Sequence, residues 1–317
     1  MKKRLRRLAY LLLILFVVLN IICAIQAYHF TRFVEDYHAA PFHQMGFLDR
    51  TSAVLFGLPM AKSIVTDSLK APHDTVTITT EDHVKLACWS VLHRPGDTIA
   101  PKGTIIMFHG HGSCRSGLIP EATAFYNMGW NLFMIDFRAH GNSEGSECSV
   151  GIKEAKDVKA AYDYVSSSGE KNIVLYGISM GAATITTAMS DYVSIQPSKI
   201  ILEMPFATMH DAVDGFVRNM NLPAEPLGTL LTFWGGTEEG VWSFSHKPAE
   251  YVKKINCPVL LQWGKEDNRV LKQETDEIFA NLASSNKTLV EYDGVGHASL
   301  CKNAPQQWTK SVTVFLK

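Results

Sequence analysis

The sequence carries no excess charge of either sign. Its 30 Lys and Arg residues nearly balance its 31 Asp and Glu residues, so the formal net charge is -1. Proteins that bind nucleic acids usually present a strongly basic face or segment, and the balance therefore gives no reason to expect a nucleic-acid partner. The chain also has no internal repeat and no low-complexity tract, and its 317 residues suit one sizeable α/β domain or two small ones.

Cysteine is scarce and scattered. None of the six cysteines stands in CxxC spacing, which argues against a disulfide-built fold and against a metal site with sulfur ligands. We expect no metal and no organic cofactor. Cys114 and Cys148 fall in loops at one edge of the sheet predicted below, so they would be able to pair in an oxidising compartment. Free thiols are the simpler interpretation, and both remain open at this stage.

The N-terminus has what the rest of the chain lacks, a long apolar run. Five basic residues within the first seven precede Leu8–Ile25, which only Asn20 interrupts. As a helix this run is about 27 Å long, close to the ~30 Å hydrocarbon core of a bilayer. We therefore predict a single-pass transmembrane anchor over residues 1–27. Because the basic residues precede the run, we expect a cytoplasmic N-terminus and an extracytoplasmic remainder.

A cleaved signal peptide is the alternative, because it also begins with a basic segment and an apolar stretch. Cleavage after Ala27 would place the large Ile25 at the third position before the cut, where small residues are preferred. We therefore expect the anchor to stay uncleaved.

The rest of the chain divides into a linker and a domain of alternating strands and helices. Residues 28–73 are mixed aromatic and polar, are interrupted by Pro41 and Gly57, and predict a linker with short helices. From residue 74 to 317 a hairpin around Glu81 and Asp82 comes first. Further strands are predicted over residues 103–108, 131–137, 173–176, 200–202, 259–262 and 288–292, with helices over 121–127 and 152–165. This alternation predicts the α/β class, with a doubly wound, mostly parallel sheet covered on both faces.

The strongest chemical signal is the pentapeptide Gly177-Ile178-Ser179-Met180-Gly181. It follows a predicted strand and precedes a segment that favours a helix, which is the context of a nucleophile elbow. In such a turn the serine is lifted into a strained, exposed position, and the flanking glycines avoid collisions with the neighbouring strand and helix. Ser179 is the predicted nucleophile.

A serine hydroxyl needs a base to remove its proton and a carboxylate to orient that base. His297 lies in Gly294-Val295-Gly296-His297 just after the last predicted strand, and Asp267 follows the strand over residues 259–262. We predict His297 as the base and Asp267 as the acid. Glu266 and Asp293 are the rival carboxylates. The order nucleophile, acid, base is the order of a doubly wound hydrolase sheet.

With these motifs the chain resembles the α/β-hydrolase superfamily over residues 74–317, and within it the compact serine hydrolases of the ABHD and Bem46 groups. The resemblance also rests on His109-Gly110-His111-Gly112, Asp136-Phe137-Arg138-Ala139-His140-Gly141-Asn142-Ser143, Met204-Pro205-Phe206 and Cys257-Pro258-Val259-Leu260-Leu261. It implies the α/β-hydrolase fold, with the segment around Arg138 and His140 serving structure and Asp136 bonding loop amides.

Hydrolysis of an acyl bond places negative charge on the former carbonyl oxygen, which fixed backbone N–H groups stabilise. The position of Met180 at the start of the predicted helix makes its amide one expected donor. The amide of His111 is the second donor that the resemblance implies. The His111 side chain would line the substrate pocket or be solvated.

The segment between Met204 and Cys257 is where such enzymes insert a cap, and we place a small cap at about residues 206–250. It is rich in large apolar residues, namely Phe216, Met220, Leu222, Leu227, Leu230, Leu231, Phe233, Trp234 and Trp242. These side chains would cover an apolar acyl site or pack as short helices on the core. The insert is too short for a large lid domain.

The sequence thus predicts a membrane-anchored serine hydrolase that cleaves small-molecule carboxylic esters or thioesters through an acyl-enzyme. A serine peptidase shares the elbow and the order of the triad, but such peptidases usually carry a large propeller domain, and no repeat is present. A non-catalytic membrane-anchored binding protein is the third alternative, since a fold alone does not establish function. Competent residues at all three triad positions argue against it.

Overall fold

The computed structural model describes residues 2–37, 45–94 and 100–317. Pro41, one of the residues taken to interrupt the linker, lies outside this part of the chain. The strands of the described part are β1 (Phe33–Val34), β2 (Met60–Ala61), β3 (Asp74–Thr79), β4 (Lys85–Val91), β5 (Thr104–Phe108), β6 (Asn131–Ile135), β7 (Ile173–Ile178), β8 (Lys199–Glu203), β9 (Val259–Gly264) and β10 (Lys287–Tyr292). Its α-helices are α1 (Lys2–Thr31), α2 (Phe47–Phe56), α3 (Ile119–Asn127), α4 (Ala155–Ser167), α5 (Met180–Asp191), α6 (Met209–Asn219), α7 (Leu227–Glu239), α8 (Pro248–Tyr251), α9 (Lys272–Asn281), α10 (Leu300–Asn303) and α11 (Pro305–Leu316).

Eight strands form the central sheet, in the order β10-β9-β8-β7-β5-β6-β4-β3. The hairpin β3–β4 is antiparallel and β4 also pairs antiparallel with β6, whereas every other pairing in the sheet is parallel. The predicted doubly wound, mostly parallel sheet is therefore confirmed. Strands β7, β8, β9 and β10 are consecutive neighbours, so the loops at their carboxyl ends lie along one edge.

The central strands are apolar at successive positions, without alternation, because both of their faces are buried. All five residues of β5 and all six of β9 are buried, as expected for parallel strands with both faces covered. The described helices form three contacting groups through successive contacts: α3 with α10 and α11, α4 with α5, α8 and α9, and α1 with α2, α6 and α7. The indole of Trp308 on α11 packs edge-on against Phe125 on α3.

The N-terminal helix α1 is long and apolar enough to cross a membrane, with a mean hydropathy of 3.0 in its most apolar window, of which 6% is buried. Residues 2–18 are exposed, whereas Cys23, Ala27 and Thr31 are buried. These three residues recur every four positions and share one face, and α7 is the element with which α1 makes its most extensive contacts. The helix continues to Thr31, beyond the predicted end of the anchor at residue 27.

The described part of the linker contains one helix, α2, together with a feature that the sequence pattern did not reveal. Strand β1 pairs in parallel with β2, with Phe33 opposite Met60. Two-residue strands carry too short a pattern to be recognised by periodicity. The predicted cap segment, about residues 206–250, holds α6 and α7 followed by a short 3-10 helix and α8.

Candidate active site

Ser179 lies at the turn between β7 and α5. Its backbone has φ 53° and ψ -117°, a strained conformation for a residue with a side chain. Two backbone hydrogen bonds hold the turn, from the Ser179 N–H to the Glu203 carbonyl at 2.7 Å and from the Ala183 N–H to the Ser179 carbonyl at 3.0 Å. The neighbouring strand and the first turn of α5 thus fix the serine.

The two glycines of the pentapeptide are required by close backbone contacts. A Cβ atom at Gly177 would lie 2.6 Å from the backbone carbon of Gly181, and one at Gly181 would lie 2.3 Å from the carbonyl oxygen of Phe108. Any side chain at these positions would push α5 away from the sheet, because backbone atoms cannot move aside as the end of a flexible side chain can. The glycines therefore let α5 pack directly on β5 and β7.

His297 comes within hydrogen-bond distance of the elbow. Its Nε2 lies 2.9 Å from the Ser179 Oγ, and its Nδ1 lies 2.7 Å from the Asp267 Oδ2. The loop that carries the imidazole is held against the end of β9, since the Glu266 N–H donates to the Val295 carbonyl at 3.0 Å. Three side chains from distant parts of the sequence thus meet at one edge of the sheet.

The other carboxylate oxygen of Asp267 is also held by hydrogen bonds. Its Oδ1 accepts hydrogen bonds from the backbone N–H groups of Arg269 and Val270, at 2.8 and 2.9 Å. The rival carboxylate of Asp293 is 87% exposed and pairs with Lys265, and Glu266 is exposed. The carboxylate that contacts His297 is therefore the one that the sequence analysis favoured.

The loop after β5 lies against the elbow. A Cβ atom at Gly110 would be in ordinary contact with the Ser179 Cβ, at 3.5 Å, so this loop packs directly against the elbow. His111 follows directly, and Met180 is the first residue of α5, where the amide has no acceptor within its own helix. The two amides expected to stabilise an oxyanion therefore belong to segments that flank Ser179.

Two buried histidines connect the neighbouring loops. The Nε2 of His140 accepts a hydrogen bond from the Gly112 N–H at 3.1 Å, while its Nδ1 faces the Arg138 carbonyl at 2.8 Å. The Nε2 of His109 likewise accepts from the Phe137 N–H at 3.0 Å. Because a backbone N–H must donate to each Nε2, the ring proton of each neutral histidine lies on Nδ1.

Burial keeps these imidazoles uncharged. Desolvation, aided by other histidines nearby, lowers the pKa of His140 to about 3 and that of His109 to about 4. Desolvation also lowers the pKa of His111 to about 3, helped by the charge of Arg269. The loops beside Ser179 are therefore held by neutral imidazoles near neutral pH.

Ion pairs fix the segment after β6, as the sequence analysis expected. Asp136 accepts from the backbone N–H groups of Arg115 and Asn142, at 2.7 and 2.9 Å, and pairs with the Arg115 guanidinium. The Arg138 guanidinium lies between Asp157, at 2.7 Å, and Asp82, at 2.8 Å. These charges are paired with one another rather than directed at Ser179.

Aromatic side chains from the N-terminal helix and the cap segment form a wall beside the site. The ring of Phe30 on α1 stacks on the His111 imidazole at 4.6 Å, and the ring of Phe216 on α6 lies 4.6 Å from Phe30. The position of Phe30 here does not follow from the sequence, because no periodicity links the end of an anchor to a loop more than 80 residues later. Phe216 had been assigned to the cap, but its partner was unknown.

A buried carboxyl group lies behind the elbow. Glu203, whose carbonyl accepts from Ser179, receives side-chain hydrogen bonds on Oε1 from the Trp308 indole at 2.6 Å and the Gln262 amide at 3.0 Å. Burial raises the pKa of Glu203 to about 8, so the group is largely protonated at neutral pH. Its position at the end of a buried strand was visible in the sequence, but its neutrality depends on the surrounding packing.

Within the part of the chain that the structure describes, no cysteine and no member of the possible metal-binding group takes part in the hydrogen bonds that join Asp267, His297 and Ser179. Cys114 and Cys148 are both free thiols, and Cys148 contacts the Met180 sulfur at 3.7 Å. Among the described residues, one group has the geometry to hold a metal ion, formed in the cap segment by His210, Asp214 and Glu225. The His210 Nε2 already pairs with the Glu225 carboxylate at 3.1 Å.

Comparisons with known proteins agree with this architecture. A family model described as Serine aminopeptidase, S33 (Hydrolase_4) matches residues 99–234. The chain is 26% identical over 233 residues to the bem46 protein of Schizosaccharomyces pombe, which covers 72% of each protein. It is 26% identical over 225 residues to YqkD of Bacillus subtilis, covering 70% of this chain and 72% of YqkD. YNL320W of Saccharomyces cerevisiae, named as a membrane protein, is 24% identical over 227 residues, 71% of this chain and 74% of that protein.

Among solved structures, the esterase Pf2001 of Pyrococcus furiosus matches with a TM-score of 0.66 and 25% identity, covering 82% of this chain and 98% of the esterase. These likenesses confirm the α/β-hydrolase fold and the resemblance to compact hydrolases of the Bem46 group, and they support a hydrolase. The matched family region ends at residue 234, so it includes Ser179 but neither Asp267 nor His297.

Proposed function

We propose that this α/β hydrolase is a membrane-anchored serine hydrolase that cleaves carboxylic ester or thioester bonds, with Ser179, His297 and Asp267 as its catalytic triad. The observation that carries the proposal is the continuous hydrogen-bonded series from the Asp267 carboxylate through the His297 imidazole to the Ser179 hydroxyl, with distances of 2.7 and 2.9 Å. Each distance suits proton transfer or orientation without rearrangement.

In the proposed mechanism the His297 Nε2 removes the Ser179 proton as the Oγ attacks the acyl carbonyl carbon. Asp267 accepts the hydrogen bond from the His297 Nδ1 and stabilises the imidazolium that forms. The amides of Met180 and His111 donate to the oxyanion, each contributing ~3 kcal/mol in comparable sites. The imidazolium then protonates the leaving alcohol or thiol, and water, activated by the same imidazole, releases the acid and restores Ser179.

A serine peptidase is the second candidate, because the matching family model is described as a serine aminopeptidase. An aminopeptidase must accept the positive α-ammonium group of its substrate close to the nucleophile. Arg269 places positive charge near His111 and Asp267, which would repel that group. The esterase Pf2001 among the structural neighbours also favours ester cleavage. Comparing p-nitrophenyl esters of varied acyl length with aminoacyl amides separates the two activities.

We place α1 in a membrane as an uncleaved anchor, with the N-terminus in the cytoplasm and the hydrolase domain outside. Five basic residues before the apolar run support this orientation. Removal of residues up to Ala27 would take away Cys23 and Ala27, which are buried against the domain, so the folded protein itself favours retention of the segment.

The test uses fluorophosphonate probes, which react with activated serines. We expect the full-length protein to be labelled, and the Ser179→Ala variant to lose both labelling and about 10⁴-fold or more of its kcat on a soluble ester. Ser190→Ala is the matched control, because Ser190 lies on the same helix about three turns away. An unlabelled wild-type protein, or equal labelling of Ser179→Ala, would contradict the catalytic proposal.

The same chemistry reports the orientation. A fluorophosphonate with a charged, membrane-impermeant tag should label Ser179 on intact cells as fully as a permeant probe does. Labelling by the permeant probe alone would place the hydrolase domain on the cytoplasmic side and leave the catalytic proposal intact.

A further inference from the structure

An apolar surface without a partner in the described chain surrounds the point where α1 meets the domain. We call it the collar and define it by side chains that are 39–83% exposed on the two helices that contact α1, namely Phe47, Leu48, Val54 and Leu55 of α2 and Phe233 of α7. Single exposed apolar residues are ordinary, but a cluster of this kind marks a binding surface.

The helix α2 supplies one stripe of the collar, with Thr51 between its large apolar side chains. At 100° per residue, Phe47, Leu48, Val54 and Leu55 share about a third of the helix circumference. The buried residue of α2 is Ala53, on a different face. Ala53 thus packs on the protein, while the large apolar side chains of α2 are exposed, including Phe56 on another face at 64% exposure. This reverses the usual arrangement of a surface helix.

The position of α2 along α1 matches the end of the apolar run. The Gln26 Nε2 donates to the carbonyl oxygens of Ala53 and Val54, at 2.9 and 2.8 Å. The apolar run ends at Ile25, so Gln26 marks the level at which α1 would leave the hydrocarbon. The apolar stripe therefore lies at the level of the membrane–water boundary.

The cap segment reaches the same level from another side of α1. Glu238 near the end of α7 pairs with Arg32 at 3.5 Å, whereas Trp234, one turn earlier, donates from its indole to Asn20 at 3.3 Å. Asn20 lies six residues before Gln26, or about 9 Å deeper along the helix. The indole thus reaches into the level of the apolar run.

The depth reached by Trp234 is that of an amphipathic side chain at the headgroup boundary. Residues 227–237 of α7 carry no charged side chain. Nothing on this stretch of the helix would therefore resist contact with the apolar part of a bilayer.

The collar also adjoins the candidate active site. Phe30 lies one turn, about 6 Å, beyond Gln26 on α1, and its ring stacks on His111. The aromatic wall of the Ser179 site is therefore about one helical turn above the level of the collar. An ester group near the hydrocarbon boundary would need to rise only a short distance to reach it.

We propose that the collar docks on the lipid bilayer around α1, and that the Ser179 site thereby takes acyl esters resident in that bilayer. The proposal rests on the function and the anchor proposed above. The bilayer is the occupant because α1 leads directly into it and because α2 and Trp234 approach the boundary at matching levels. A second copy of the chain would need no such match to the end of the apolar run.

The first experiment tests docking by measuring the depth of a nitroxide in the bilayer, and it does not depend on enzymatic activity. The full-length protein is placed in phosphatidylcholine vesicles with a nitroxide at Leu48→Cys or, as control, at Val193→Cys, which replaces an 86% exposed residue far along the chain from α2. Cys257, the native cysteine that is not fully buried, is replaced by Ser in both. We expect the nitroxide at position 48 to be more accessible to oxygen than to a soluble nickel chelate. The nitroxide at position 193 should be more accessible to the chelate than to oxygen.

Two results would overturn docking on lipid. Equal chelate access at positions 48 and 193 would show that the collar is in water. Dipolar broadening at position 48 that disappears on dilution with unlabelled protein would show that a second copy covers the collar.

The second experiment tests the substrate assignment by comparing two esters with the same leaving group. Leu48→Ser/Leu55→Ser should lose about tenfold in hydrolysis of p-nitrophenyl palmitate held in the vesicles, because apolar contact with the bilayer is weakened. Its hydrolysis of dissolved p-nitrophenyl butyrate should stay within about twofold of wild type, since neither residue touches the Ser179 site. Val193→Ser/Val314→Ser, which alters exposed residues elsewhere, should change neither rate.

A vesicle rate unchanged in the collar variant, or an equal fall with both esters, would overturn the substrate assignment. Failure of the wild-type protein on both esters would refute the proposed function, while the nitroxide depths would still decide docking.

Discussion

The two carboxylate oxygens of Asp267 have different hydrogen-bond partners. Oδ1 accepts from the Arg269 and Val270 amides, and Oδ2 faces the His297 Nδ1. Because both oxygens act as acceptors, an amide in place of the carboxylate would have to turn a donor toward either the backbone or the imidazole. The role of Asp267 is therefore sensitive to a change that preserves its shape.

We predict that Asp267→Asn lowers kcat on a soluble ester by about 10³–10⁴-fold, because the imidazole would adopt the wrong tautomer and its cation would lose a stabilising charge. Steady-state kinetics with p-nitrophenyl butyrate measures the effect. Asp293→Asn is the control, since that exposed carboxylate pairs with Lys265, and it should remain within about twofold of wild type. Comparable losses in both variants would remove Asp267 from its proposed role.

At the level of elements, the approach of α5 to β5 depends on the absence of a side chain at Gly181. The nearest atoms to an added Cβ would be the carbonyl oxygens of Phe108 and His109, at 2.3 and 2.7 Å. Both belong to the segment that leads into the His111 loop. Displacement of α5 would therefore move Ser179 and the expected oxyanion donors relative to one another.

We expect Gly181→Ala to destabilise the fold by about 1–3 kcal/mol or more through overpacking, and to reduce fluorophosphonate labelling even where the protein remains folded. Thermal unfolding and the labelling rate report these effects separately. Gly235→Ala is a matched control on α7, because its added Cβ would make an ordinary contact at 3.9 Å with Thr31. That variant should be neutral or slightly stabilised by the better helix propensity of alanine. Equal stability of the two variants would contradict this explanation.

The strands and helices could be predicted from the sequence where the hydrophobic pattern was long enough. The hairpin, the six later strands and the helix over 152–165 coincide with described elements to within a few residues, because buried parallel strands and amphipathic helices leave distinct periodicities. The two-residue strands β1 and β2 leave none. The continuation of α1 to Thr31 was missed because its last turn is stabilised by packing on α7 rather than by its own apolar run.

The residues of the site could be predicted where the local sequence determines the geometry. The pentapeptide around Ser179 and the loops after β9 and β10 placed three side chains on one edge, and the structure brings those three together. The contact of Phe30 with His111 could not be foreseen, because it depends on how α1 leaves the domain. The hydrogen bond from Gly112 to His140 likewise depends on the packing of two loops.

The whole molecule contains buried groups that respond to pH in opposite directions. Burial lowers the pKa of His109 to about 4, and that of His111, His140 and His246 to about 3. Between these values and about 6.5, the ordinary value for histidine, the unfolded chain binds protons that the folded chain does not. Stability from these histidines is therefore present above pH 6.5 and is lost as the pH falls.

The buried carboxyl groups act in the other direction. Burial raises the pKa of Glu274 to about 7 and that of Glu203 to about 8. Above about 4.5, the ordinary range of a glutamate, the unfolded chain has released protons that the folded chain retains, so stability falls as the pH rises toward the folded pKa. Between pH 7 and 8 Glu203 still retains its proton after Glu274 has lost its own.

We therefore predict that thermal stability of the full-length protein in detergent declines from pH 7 to 8, and that Glu203→Gln makes this decline shallower. The amide stays neutral at every pH, so it removes a contribution whose slope is at most about 1.4 kcal/mol per pH unit. Unfolding followed by tryptophan fluorescence at closely spaced pH values gives both slopes. Glu250→Gln, at an exposed carboxylate paired with Lys253, should leave the wild-type slope unchanged. Identical slopes for wild type and Glu203→Gln would mean that Glu203 is already ionised behind the elbow at neutral pH, with its charge stabilised by the Trp308 and Gln262 donors rather than avoided by protonation.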